Sequence, residues 1–197
     1  MEKDQKKSIE VKAILLGNSG VGKTSLIKVL TRGKLNENEE ATTFSSYEVK
    51  ELKINSINYS LNLWDTIGQE QYRSLSEIFY KGSDIAIFVY DITSQNSFDD
   101  LNYWITKLED NVDTKKKCVY GIVGNKTDKY REQEVNDKEA KAFAKSKGIK
   151  FTTVSAKNNP SCFEDFLIEL VKDASHNLLA KSGKLHLKYQ NKKKGKC

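Results

Sequence analysis

Residues 9–33, IEVKAILLGNSGVGKTSLIKVLTRG, decide the fold. The first eight suit a buried strand. The middle is rich in glycine, and SLIKVLTRG carries helical apolar spacing that stops at Gly33, a favoured residue just past a helix end. Gly17-Asn-Ser-Gly20-Val-Gly22-Lys23-Thr24 fits G-x-x-x-x-G-K-[ST] in the strand–loop–helix setting this motif requires. Its glycines let the main chain wrap closely around phosphate, with successive N–H groups pointing inward at a helix start. Lys23 offers a point charge to outer phosphates, and the Thr24 hydroxyl is a hard oxygen for Mg²⁺. The same glycines do not fit G-x-G-x-x-G, which disfavours a dinucleotide fold. The loop alone does not choose between ATP and GTP, or between hydrolase and kinase.

Working outward, Lys34–Ser46 is polar and aperiodic, a longish loop of the kind that is often functional. Ile57, Tyr59, Leu61 and Leu63 alternate with Asn58, Ser60 and Asn62, the period of a strand with one buried face. With Tyr47–Ile54 before it and Asn55-Ser56 as a turn, this predicts an antiparallel hairpin. Asp84–Tyr90 and Cys118–Val123 are almost continuously apolar, as in parallel strands covered on both faces. Phe98, Leu101, Ile105 and Leu108 predict one helix, and Ala140, Phe143 and Ala144 a second that ends at Gly148. Phe163, Phe166, Leu167, Leu170 and Val171 predict a third, opened by a Ser161–Glu164 capping box after Pro160. The alternation implies an open α/β sheet with helices on both faces.

Composition sets the outer limits. The chain has 197 residues, 38% hydrophobic, with 33 Lys+Arg against 27 Asp+Glu, enough apolar surface for a packed core. No apolar run approaches the ~18 residues of a membrane span, and the first ten residues lack a secretory pattern. Cys118, Cys162 and Cys197 are odd in number and widely spaced, as expected of reduced thiols in a cytoplasmic protein. Residues 181–197 hold seven lysines and no acid, so residues 1–180 carry 26 basic and 27 acidic residues, a net −1. The excess charge is a tail, and no nucleic-acid partner is expected for the near-neutral remainder. The expected division is an N-terminal arm over 1–9, one domain over 10–178 and a flexible polybasic tail over 179–197.

Gly124-Asn125-Lys126-Thr127-Asp128 directly follows a buried strand, which puts an amide and a carboxylate at its carboxyl end. An Asp there accepts from both the ring N–H and the amino group of guanine. Adenine offers no such pair, and the mismatch costs roughly 1–3 kcal/mol or more. Ser155-Ala156-Lys157 ends the next strand, where its main-chain N–H groups could meet a guanine carbonyl. With these three motifs in this order, the sequence resembles the Ras superfamily of small GTPases, and within it the Rab family most closely. The likeness covers about residues 10–178. It includes Trp64-Asp-Thr-Ile-Gly-Gln-Glu70, Phe79-Tyr-Lys-Gly82, Tyr90-Asp-Ile-Thr93, Ser97-Phe98 and Trp104.

The resemblance implies a single α/β P-loop GTPase domain with a mostly parallel six-stranded sheet, one antiparallel edge strand, and helices on both faces. It implies GTP/GDP and Mg²⁺ as ligands. Ser19, Gly20, Val21, Gly22, Lys23, Thr24 and Ser25 form the phosphate cradle, and Asn125, Lys126, Asp128, Ser155, Ala156 and Lys157 form the base site. Thr42, 19 residues after Lys23 and 23 before Asp65, is the switch threonine for Mg²⁺ and γ-phosphate, with Thr43 the fallback. Thr24, Thr42 and Asp65 hold the metal. Gly68 offers its N–H to the γ-phosphate and Gln69 orients the attacking water. With no arginine in cis, a GTPase-activating protein would supply one. An exchange factor, effectors at Tyr47, Trp64 and Phe79, and a monomeric state complete the expectation. Trp64 is expected to be exposed, because it ends the alternating strand on its polar side.

Four departures stand out. Ile67 replaces the small residue usual between Thr66 and Gly68, Leu35 an aromatic over the guanine edge, and Glu39-Glu40 the switch tyrosine. The chain ends in one cysteine, Cys197, after KKKGK, where Rab proteins usually end in two prenylated cysteines close together. One lipid plus a polybasic stretch suffices for a reversible anchor on the cytosolic face of a membrane. The readings in view are a Rab-like switch in vesicle traffic, a slowly hydrolysing GTP-binding scaffold, and a Ras-like signalling GTPase outside membrane traffic.

Overall fold

Six strands, β1 (Ile9–Leu16), β2 (Ser46–Ile54), β3 (Ile57–Asp65), β4 (Ile85–Asp91), β5 (Val119–Asn125) and β6 (Lys150–Thr153), form one sheet in the order β2-β3-β1-β4-β5-β6. The computed structural model describes residues 8–33, 46–66, 77–112 and 117–181. Every pairing is parallel except β2 with β3, so β2 is the antiparallel edge strand. The sheet is thus the expected one. Asn55 and Ser56 join the hairpin with φ of 49° and 64°, the two left-handed residues of a turn whose twist matches paired strands.

Alternate residues of β1 serve two cores. Val11, Ala13 and Leu15 pack with α1 (Lys23–Arg32) and α6 (Ser161–Lys181), through Leu26, Leu30, Phe166 and Leu170. Ile14 and Leu16 pack on the other face with α3 (Gln95–Asp99), α4 (Leu101–Asn111) and α5 (Asp137–Lys147), through Phe98, Trp104, Leu108 and Ala144. A short helix, α2 (Glu77–Tyr80), precedes β4 and adds Tyr80 to this second core. β4 is buried at all seven positions, which explains its unbroken apolar run. Because β1 sends the chain to β2 on one side and later to β4 on the other, the strand order reverses beside it. The carboxyl ends at such a point form a crevice where ligands bind in α/β sheets.

Two expectations need correction. The helix expected through Phe98–Leu108 is two helices, α3 and α4, which meet at Asp100 with ψ of −8°. Phe98, Leu101, Ile105 and Leu108 all remain buried, so the apolar period survives the break. The capping box at Ser161 does not form. Ser161 already lies in α6, its hydroxyl donates to Asn159 Oδ1, and Glu164 pairs with Lys50 of β2 at 3.2 Å. The Pro160 carbonyl instead accepts the first helical N–H groups, from Phe163 and Glu164. α6 runs to Lys181 and buries Leu178 and Leu179.

Candidate functional site

The loop from Gly17 to Gly22 leaves β1 and turns into α1, with Gly22 in the left-handed region at φ 97°. Val21 is 2% exposed and drives its side chain into the first core, which fixes the middle of the loop. Lys23 is buried. Its ammonium donates to the Gly17 and Asn18 carbonyls, both at 2.8 Å, so the side chain folds back along the concave side of the loop. Burial pulls its pKa down to about 8 against the opposing pull of the Asp65 carboxylate. A cation held this dry gains more from an arriving phosphate than one already solvated.

Thr24 lies in the first turn of α1, and its hydroxyl donates to Asp65 Oδ2 at 2.6 Å. Asp65 ends β3 and is 3% exposed. A hydroxyl and a carboxylate oxygen side by side, both hard donors, suit Mg²⁺. Thr66 is tied to β1, its hydroxyl donating to the Leu15 carbonyl at 2.6 Å. Ser19 and Gly20 lie on the same loop, and Ser25 on the first turn of α1.

At the carboxyl end of β5, Asn125 joins two loops. Its Nδ2 donates to the Val21 carbonyl at 2.9 Å, and its Oδ1 accepts from the Ala156 N–H at 3.3 Å. Asp128 sits in a 3₁₀ turn, Thr127–Glu132, and accepts from the Ser155 hydroxyl at 2.5 Å. The same hydroxyl oxygen accepts from Lys157 N–H at 3.2 Å and Asn158 N–H at 3.0 Å. The carboxylate plane is therefore set by a side chain that the following loop itself holds.

Lys126 has φ of 69°, an uncommon left-handed value for a residue with a side chain. Its ammonium meets Asp91 Oδ2 at 2.7 Å. Asp91 is also held on Oδ1 by the Thr93 N–H and hydroxyl, at 2.9 and 2.8 Å. Asp91 was not among the candidate residues. The available signal was an acid at the carboxyl end of a fully apolar strand.

The aromatics Tyr47, Trp64 and Phe79 form a single row, with ring centroids 5.2 and 5.4 Å apart. Tyr47 is 58% exposed. Trp64 is half-buried, contrary to the expected exposure: Tyr47 and Phe79 flank it, and the Lys12 ammonium lies 5.1 Å from its ring centre. Strand parity places it on the face opposite Leu61 and Leu63, where it packs against the second core and neighbours distant in sequence cover it. Thr42, Thr43, Leu35, Glu39, Glu40, Ile67, Gly68, Gln69 and Cys197 lie outside the described residues. Among the described residues, no helix is long and apolar enough to cross a membrane.

A family model described as Ras family matches residues 12–176. The chain belongs to the Ras family. Similar proteins within that family include GTP-binding protein ypt3 of Schizosaccharomyces pombe, 34% identical over 171 residues, covering 85% of this chain and 79% of the relative. Ras-related protein Rab-21 of Geodia cydonium is 39% identical over 160 residues, covering 81% of this chain and 69% of the relative. Ras-related protein Rab-7a of Paramecium octaurelia is 38% identical over 167 residues, covering 82% and 81%. This Ras-family chain is accordingly a Rab-like small GTPase, with the guanine nucleotide chemistry that the family implies.

Proposed function

We propose that the protein is a Rab-type switch that binds GTP and hydrolyses it to GDP and phosphate, and that its GTP form recruits effectors to an intracellular or plasma membrane. The observation that carries the nucleotide part is the Asp128 carboxylate held at the carboxyl end of the sheet by Ser155, whose neighbour Ala156 is tied through Asn125 to the phosphate cradle. A carboxylate fixed in that way accepts the ring N–H and amino group of guanine and discriminates against adenine.

In this reading the main-chain N–H groups of residues 19–25 bind the outer phosphates, and Lys23 adds its charge to them. Thr24 and Asp65 hold Mg²⁺, with Thr42 completing the set in the GTP form. The ion held there would supply positive charge beside the phosphates. Gln69 orients water for in-line attack on the γ-phosphorus, and Gly68 donates to a γ-oxygen. An arginine from an activating partner would stabilise the remaining charge. Phosphoryl transfer asks little covalent chemistry of the protein, so a rigid cradle is the main requirement.

The row of Tyr47, Trp64 and Phe79 supports an effector surface, because it joins the edge hairpin to the helix after Asp65 and offers a rigid, partly exposed aromatic face. The lysine-rich end with Cys197 supports a reversible membrane anchor. The test of the central reading is to denature the purified protein and identify what it releases. Guanine nucleotide is the expected result, and adenine nucleotide would overturn it. Mass spectrometry of the protein from its native cell tests the anchor, where an unmodified Cys197 would remove it.

A further inference from the structure

We propose that Asn18, the second residue of the phosphate loop, is a positioning residue that locks this loop to α4 through Trp104 and Asp100. Asn18 Nδ2 donates to Asp100 Oδ2 at 2.8 Å, and Trp104 Nε1 donates to Asn18 Oδ1 at 2.9 Å. The amide orientation is fixed by chemistry. An indole N–H only donates and an ionised carboxylate only accepts, so the amide oxygen must face the ring and the amide nitrogen the acid.

Both anchors are themselves immobilised. Trp104 is fully buried in the second core. Asp100 is the residue at which α3 ends and α4 begins, and its main-chain N–H and carbonyl are both engaged in helix bonds. The clamp therefore starts from a buried wall beside the loop. Its other end is the main chain of Asn18, whose carbonyl accepts from the Lys23 ammonium at 2.8 Å. One residue thus connects the α4 wall with the cation that faces the phosphates. A cradle of N–H groups works only when each is held within about 0.5 Å of its productive position, and side chains locked by packing are what hold such precision.

The inference rests on reading residues 17–24 as a guanine nucleotide's phosphate loop, and its test separates the two. The rate of dissociation of fluorescent mant-GDP is measured for the full chain in Mg²⁺, for wild type, N18D, D100N and N18D/D100N. N18D still accepts from the indole but turns a second carboxylate toward Asp100. Dissociation is expected to speed up about tenfold, as befits one charged hydrogen bond replaced by repulsion. D100N in that background returns a donor to face the new acid, so the double variant is expected to come back to within about twofold of wild type. Recovery by a second substitution is not what a general loss of stability would give. A double variant as fast as N18D, or an N18D rate equal to wild type, would overturn the clamp.

A measurement on unmutated protein covers the case in which N18D does not fold. The Trp104 indole N–H resonance, assigned with W104F, is expected to shift when GDP replaces buffer, because the loop that supplies its acceptor is the loop that closes on phosphate. No shift overturns the proposal. A wild-type chain that binds adenine but no guanine nucleotide would instead sink the base-site reading, while a phosphate-linked shift with that nucleotide leaves the clamp standing.

Discussion

Replacing Gly22 with alanine isolates what holds the two halves of the site together, provided that Gly20→Ala is measured beside it. Both glycines have positive φ, 97° and 76°. Both variants therefore incur the left-handed penalty of roughly 1–2 kcal/mol. They differ in what the new methyl meets. At Gly20 there is nothing within 4 Å, whereas at Gly22 a Cβ would lie 2.3 Å from Asn125 Nδ2. The amide must then leave the position from which it donates to Val21 and accepts from Ala156. Leaving those buried main-chain groups without their partner costs about 1–3 kcal/mol each. Partial relaxation of the loops reduces the total, so an excess of about 2–4 kcal/mol for Gly22→Ala over Gly20→Ala is expected. Expressed as GDP affinity, that is about 30-fold to about 1000-fold. Isothermal titration calorimetry of the two variants with GDP in Mg²⁺ supplies the comparison, with thermal melting as a check on folding. Equal affinities for the two variants would refute the reasoning, because strain alone is common to both.

Further predictions follow from the same geometry and from the sequence beside it. Ile67 places a β-branched side chain next to the residues expected at the γ-phosphate, so Ile67→Ala should hydrolyse GTP faster in a single-turnover assay; equal rates would remove that role. Burial lowers the Lys23 pKa from 10.5 to about 8, so the folded chain releases a proton that the unfolded chain keeps between those values. The burden of this buried charge is therefore full below about pH 8 and fades as pH rises toward 10.5. In nucleotide-free protein, the urea midpoint of wild type should approach that of Lys23→Met between pH 7.5 and 9.5, and a constant gap would contradict the assignment. Burial, with Asp84 nearby, pushes the Cys118 thiol up to about 12. Alkylation of the folded protein at pH 8, read by peptide mass spectrometry, should leave Cys118 unmodified while a denatured control reacts.

Much of the fold was legible because its strongest signals are local. The run from Ile9 to Gly33 holds a strand, a loop and a helix whose boundaries are marked by glycines, and the structure has all three where the pattern puts them. The hairpin turn was legible for the same reason, since Asn55 and Ser56 interrupt two apolar patterns. What failed depended on competition between partners. Ser161 has the spacing of a cap, yet Pro160 precedes it and its carbonyl takes the first N–H groups. Asp100 breaks a helical period that continues on either side without a change of face. Parity predicted which face Trp64 occupies, but not that Tyr47 and Phe79 cover it. Asp91 and Lys126 meet because β4 and β5 pair in a register that sets Asp91 beside Asn125, and register is a property of two strands together.

The base half of the site closes on itself. At the ends of β4, β5 and β6, Ser155 holds Asp128 and Lys126 pairs with Asp91, while Asn125 ties Ala156 to the phosphate loop at Val21. These groups stand at the expected base site, far along the chain from Thr42, Gly68 and Gln69, the positions expected to touch a third phosphate. In the proposed reading, affinity for guanine nucleotide therefore comes from a preorganised frame that treats GDP and GTP alike. An interaction common to both ligands shifts no equilibrium between two protein states, however tight it is. In that reading, discrimination, and hence switching, rests on the groups that meet the third phosphate: Lys23 of the loop, with Thr42, Gly68 and Gln69. Asn18 belongs with the frame: its clamp would set how long nucleotide stays, and Ile67 how soon the third phosphate leaves.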